Sequence, residues 1–128
     1  MADILLDTTI AIDASNDNPR ALAYVNSLLL ANTACLHAQV VAEAIEGVRN
    51  LRELRKLRKF TSAFPILFPS EQDSRHALDF LQAFHLSHEI GYADYCIGST
   101  ALRLGLTVAT LNVKDFMTIH NLKVIRPY

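Results

Sequence analysis

The chain has 128 residues, 51% of them hydrophobic, which suits a single compact unit and is too short for two independent cores. Twelve Lys and Arg against thirteen Asp and Glu give a formal charge of −1. That balance excludes a polycation held to nucleic acid or membrane by bulk charge, so any nucleic-acid site must be local.

The N-terminal "MADILLD" has no basic region and no long apolar run before its first acids, so no secretory leader is expected there. No apolar stretch reaches the length of a membrane span, and a cytosolic protein is the expectation. Short runs rich in Ile, Leu and Val predict buried strands at Ile4–Leu6, Ala34–Leu36, Ile66–Phe68, Leu106–Ala109 and Lys123–Ile125. Helical periodicity fills the intervals at Pro19–Leu30, Ala38–Gly47, Leu51–Phe60, Glu71–Phe84 and Tyr92–Leu104. Pro19 stands in a first turn and Gly105 just past an end, the usual helix asymmetry. Strands alternating with helices define an α/β protein: a three-layer α/β/α arrangement on a mostly parallel five-stranded sheet, with residues 1–128 as one domain.

In such sheets ligands gather beyond the carboxyl ends of the strands. Asp7 stands there, directly after Ile4–Leu6, and Asp115 follows the fourth strand. Glu43 lies in a helix among Val40, Val41, Ala44, Ile45 and Val48, and Asp94 opens another helix. A parallel sheet can bring these acids to one edge. Clustered carboxylates repel unless a cation neutralises them, and hard oxygen ligands suit Mg²⁺ or Mn²⁺. Paired ions of that kind serve in-line phosphodiester displacement. Each acid also has a plain structural reading: Asp7 as a helix N-cap, Asp94 as a charge at a helix N-terminus, Asp115 as a turn acid.

Taken together, the motifs resemble PIN-domain ribonucleases, and within them the VapC toxins of type II toxin–antitoxin systems. "ILLDTTIAID" resembles the opening strand with its Asp-Thr-Asn or Asp-Thr-Ser, and "VVAEAIEGV" the Glu-Leu-x-x-Gly helix, matching Glu43 and Gly47. "IGYADYCIGSTALRLGLTVATLNVKDF" resembles the third and fourth acidic motifs, and "IHNLKVIRPY" the closing strand. The resemblance implies a PIN-like fold and an acidic catalytic site of Asp7, Glu43 and Asp94, with Asp7 and Asp94 as ligands of Mg²⁺ or Mn²⁺. Thr9, Asn112 and Asp115 would support it. Thr9 replaces the family's Asn or Ser, and Asn112 occupies the fourth acidic position, so one ion is expected to bind firmly and a second to arrive with RNA. The implied activity is metal-dependent RNA cleavage, with tRNA or rRNA as candidate substrates. The implied partners are a VapB-like antitoxin that places a basic side chain in the acidic site, and a second copy of the chain. Leu28–Leu30 could serve a homodimer.

"RNLRELRKLRKF" carries six of the twelve basic residues on a helix whose leucines form an apolar stripe. Arg52, Arg55 and Lys59 are candidates for contact with an RNA backbone, against the plainer reading of a solvated face. "HLSHE", His85 to Glu89, lacks the order of a zinc motif, and Cys35 and Cys96 sit among apolar residues as core thiols. Two rival functions remain open on the residues. One is a PIN-fold binding module without activity, suggested by Thr9 and Asn112. The other is a phosphorylated receiver, for which Lys114 is poorly placed.

Overall fold

A computed structural model describes residues 3–128; Met1 and Ala2, at the start of the stretch read above against a leader, lie outside the described residues. Five strands form one sheet: β1 (Ile4–Leu6), β2 (Ala34–His37), β3 (Ile66–Leu67), β4 (Thr107–Ala109) and β5 (Lys123–Ile125). Their spatial order is β3-β2-β1-β4-β5, and every neighbouring pair is parallel. The α/β sheet expected from the sequence is thus present, parallel throughout rather than mostly.

Seven helices connect the strands: α1 (Thr8–Ser15), α2 (Pro19–Leu30), α3 (Ala38–Glu46), α4 (Leu51–Thr61), α5 (Glu71–Phe84), α6 (Tyr92–Leu104) and α7 (Val113–Phe116). Five match the periodic segments to within a residue at each end. The short helices α1 and α7 do not emerge from periodicity, because each follows a strand directly and presents too few turns for an apolar stripe to repeat. Parallel strands require crossovers, and these are almost always right-handed. Since the chain steps outward from β1 to β3 and then returns to the other side of β1, its crossovers cover opposite faces of the sheet. The reversal falls between β1 and β4.

The core explains the strand composition. Leu5, Leu6, Cys35, Leu36, Val108 and Ala109 are all inaccessible to solvent, and the fully buried Ile10, Val25, Val40, Ile97 and Phe116 pack around them. Burying each larger aliphatic side chain stabilises the fold by about 1.5–3 kcal/mol. Both cysteines are buried free thiols, and burial pushes Cys35 up to about 11, so the expectation of unreactive core thiols holds. Gly98, in the middle of α6, has a packing reason: a Cβ there would come within 2.2 Å of Ile119 Cδ1. Gly105 ends α6 with φ of 68°, a left-handed conformation that favours glycine.

A second buried region is polar. Asp73 closes a capping box with Ser70 at the start of α5 and is fully buried. It accepts hydrogen bonds from Arg103 Nε at 2.8 Å, from Arg103 Nη2 at 2.9 Å and from Thr100 Oγ1 at 2.9 Å. Thr100 Oγ1 in turn lies 3.0 Å from His37 Nε2, while His37 Nδ1 accepts from the Gln39 amide. The chain of bonds fastens α5 and α6 to the junction of β2 and α3. Among the described residues, no helix is long and apolar enough to cross a membrane.

Candidate acidic active site

Register decides what meets at the carboxyl edge. Leu6 pairs with Ala109, so the next residues, Asp7 after β1 and Thr110 after β4, emerge side by side at the reversal of strand order. The Asp7 amide donates to Ala109 O at 2.9 Å. Asp7 takes the N-cap position of α1, yet its side chain makes no capping bond to the helix amides. Instead its Oδ2 accepts from Thr110 Oγ1 at 2.7 Å and from Thr9 Oγ1 at 3.2 Å. Each hydroxyl also accepts a backbone amide: Leu111 N to Thr9 Oγ1 at 3.1 Å, and Asn112 N to Thr110 Oγ1 at 2.9 Å. The two threonines therefore orient Asp7 and tie it to the loop after β4. Both of these bonds fall on Oδ2.

The other acids arrive from three helices. Glu43 lies on α3, Asp94 in the first turn of α6 and Asp115 in the first turn of α7. All three are half-buried, whereas Asp7 is only 3% exposed. Their electrostatics report one another. Burial, then the negative charges of Asp7, Glu43 and Asp115, push the Asp94 carboxyl up to about 7. Burial raises Glu43, with the charges of Asp7 and Glu46 adding and the neighbouring Thr8 hydroxyl opposing. Burial also raises Asp7, against the opposing hydrogen bonds from Thr110 and Thr9. Among the described residues, no salt bridge reaches any of the four acids.

The sequence-predicted residues Asp7, Thr9, Glu43, Asp94 and Asp115 are brought together. Asn112 borders this group through its backbone, while its side chain is exposed and makes no capping bond to α7. Sequence reasoning missed Thr110 and the buried Thr8. For Thr110 a signal existed: it follows β4 directly, as Asp7 follows β1, and the parallel pairing makes those positions neighbours.

Uncompensated carboxylates with raised pKa values are the donor set of a hard divalent cation. Among the described residues, no three Asp, Glu, His or Cys side chains form a ready-made cage around one point. The arrangement fits an ion of the Mg²⁺ kind, which keeps several waters and binds through one or two carboxylates.

The candidate basic residues lie elsewhere. Helix α4 packs against α1 and α3, with Leu57 buried and Arg52, Arg55, Arg58 and Lys59 exposed. Arg49 pairs with Glu53, and Lys56 reaches Asp17. A groove of about 270 Å³ opens between these helices, lined by Ile12, Ser15, Ala44, Gly47, Val48 and Leu57 among others. His85 ends α5, and His88 Nδ1 lies 2.8 Å from Ser87 Oγ with its ring edge-on to Phe84.

A reversal of strand order with acids gathered beyond it defines the class of α/β proteins that bind ligands at such a switch point. The PIN domain family model matches residues 4–117, and the chain belongs to that family. Its structure is similar to VapBC-1 from nontypeable Haemophilus influenzae, at 28% identity over 97% of both chains with a TM-score of 0.78. It is also similar to FitAcB from Neisseria gonorrhoeae, at 27% identity over 97% of both chains and a TM-score of 0.72. DNA-bound VapBC from Salmonella typhimurium shares the fold, with a TM-score of 0.85 at 22% identity over the whole of both chains. Among curated proteins, none matches. The resemblance drawn from the acidic motifs is borne out by the family match and by these structures.

Proposed function

We propose that this chain is a divalent-metal-dependent ribonuclease, the VapC-type toxin of a toxin–antitoxin pair, acting in the cytosol with residues 1–128 as one PIN domain. The observation that carries the reading is the gathering of Asp7, Glu43, Asp94 and Asp115 from four elements at the switch point, with no cationic side chain bonded to them among the described residues. Structural charges are paired; a cluster left unpaired is arranged for a ligand.

Asp7 and Asp94 would hold Mg²⁺ or Mn²⁺. When bound, such an ion neutralises the carboxylates, offsets the charge that builds on the phosphate oxygens and makes water more acidic. The chain's own residues do the rest. Thr110 and Thr9 orient Asp7 through Oδ2. Glu43, partly desolvated, takes the proton of an attacking water, with Asp115 supporting the far side of the site. Asp94, near neutrality in its pKa, must lose its proton before an ion can bind, so cleavage should fall as pH drops below about 7.

The solved complexes of VapBC-1 and FitAcB support a VapB-like antitoxin as partner. The groove beside α1 and α3 offers a cradle for its segment, and a basic side chain from it would neutralise the same acids. A homodimer belongs to the proposal as well, although Leu28 and Leu29 pack against the core and leave only Leu30 of that trio exposed.

The test is cleavage of labelled tRNA and rRNA fragments by purified protein with Mg²⁺, Mn²⁺ or EDTA, alongside Asp7→Asn and Asp94→Asn. Metal-dependent cutting that falls at least about 100-fold in both variants is expected, the loss when a catalytic group is removed. Full cutting in either variant, or cutting in EDTA, would overturn the assignment. Absence of cutting together with absence of metal binding would favour the inactive binding module.

A further inference from the structure

Tyr95 follows Asp94 on α6 and is completely buried, its ring stacked on Phe80 with centroids 5.6 Å apart. Its hydroxyl has no hydrogen-bond partner among the described residues. A buried phenol without a partner costs about 1–3 kcal/mol, and phenylalanine would make the same stack without that cost. The oxygen ends against α7. Thr118 stands beside it but spends its own hydroxyl proton on Asp115 O at 2.8 Å, outside hydrogen-bond geometry with Tyr95. The charges that this phenol feels are those of Asp115 and Asp94, which also raise its pKa after burial does. An unspent O–H therefore faces the acid that stands three residues past Asn112.

We propose that Tyr95 is a positioning residue of the acidic site: its phenol O–H donates to the Asp115 carboxylate, directly or through one water, and holds that acid among the cation ligands when an ion binds. The inference rests on the cation-site reading above. It gives Asp115, rather than Asn112, the place of the fourth acid. It also accounts for a polar atom that the packing of α6 does not need.

The test is calorimetric titration of Mn²⁺ into the full chain and into Tyr95→Phe, Asp115→Asn and the double variant, with thermal melts of each without metal. Tyr95→Phe should bind Mn²⁺ about tenfold more weakly, the effect of losing one hydrogen bond to a charged group. Its melting temperature should be unchanged or raised, which a merely structural hydroxyl would not give. In the Asp115→Asn background the substitution should have no further effect on affinity. Unchanged Mn²⁺ affinity in Tyr95→Phe, or an equal loss in both backgrounds, would overturn the inference alone. Asp94→Asn, titrated in parallel, separates the two readings: if the unaltered chain binds no Mn²⁺, or binds it as well without the Asp94 charge, the cation site itself fails and the inference with it.

Discussion

Asp73 and Asp94 lie on adjacent, tightly packed helices, and the structure treats them in opposite ways. Burial would push Asp73 up, but the Arg103 guanidinium, the Ser70 amide and the Thr100 hydroxyl outweigh it and hold the carboxyl at about 2. Asp94 is also desolvated, yet its charged neighbours are other acids, and it stands at about 7. One carboxylate is spent on the fold; the other is kept unspent at an edge where a cation and a phosphate can reach it. Burial is common to both, so burial alone does not mark a functional acid. The difference lies in whether the partners are donors or further acids.

The contrast is broken most sharply by Asp73→Ala. It leaves Arg103 and Thr100 without their acceptor, and should lower stability by about 3 kcal/mol, the cost of breaking a buried pair. For a chain of this length that is a fall of roughly 10 °C in melting temperature, read by calorimetry. A fall of less than 2 °C would mean that the network is incidental.

The reverse is expected of Asp94→Asn without metal. Because its folded pKa of about 7 exceeds the ordinary 3.8, the folded chain holds that proton more tightly than the unfolded one. Stability therefore declines as pH rises from about 4 to 7 and stays low above. Asparagine should restore about 1–2 kcal/mol at pH 8, after allowance for solvent screening, and almost nothing near pH 4. Melting curves at the two pH values check it. A variant destabilised at pH 8 would show that Asp94 has found donors after all.

Thr110→Val should cost about 1 kcal/mol by removing the 2.7 Å donor to Asp7 and the acceptor of the Asn112 amide. It should also raise the Asp7 pKa further and move the acid limb of Mn²⁺ binding upward. The smallest effect belongs to α4. Reversing charge at Arg52 and Arg55 should weaken binding of single-stranded RNA a few-fold and shallow its salt slope by about 0.7 per lost phosphate contact. An unchanged slope would return that helix to the plainer reading of a solvated face.

Much of the site was legible in the sequence. Asp7 at the end of an apolar run, Glu43 inside an apolar helix and Asp94 beside Gly91 are all placed where their neighbours make a solvated role wasteful. Asp115 was legible only as a turn acid until α7 appeared, since four residues carry no helical period. Thr110 and Tyr95 look unremarkable along the chain. One acquires meaning from the pairing of β1 with β4, the other from the stack on Phe80 that leaves its hydroxyl against α7.

The sequence by itself determined the elements and their class, because strand and helix periods are local and the apolar runs fall where a covered parallel sheet needs them. It also determined which acids were available. Only the tertiary structure decided which of them remain unpaired. That outcome depends on strand order and register, which set Asp7 beside Thr110, and on helix packing, which gives Asp73 an arginine and leaves Asp94 facing three other carboxylates. Contacts between residues separated by 30 to 103 positions follow from how the chain closes on itself, and no local pattern encodes them.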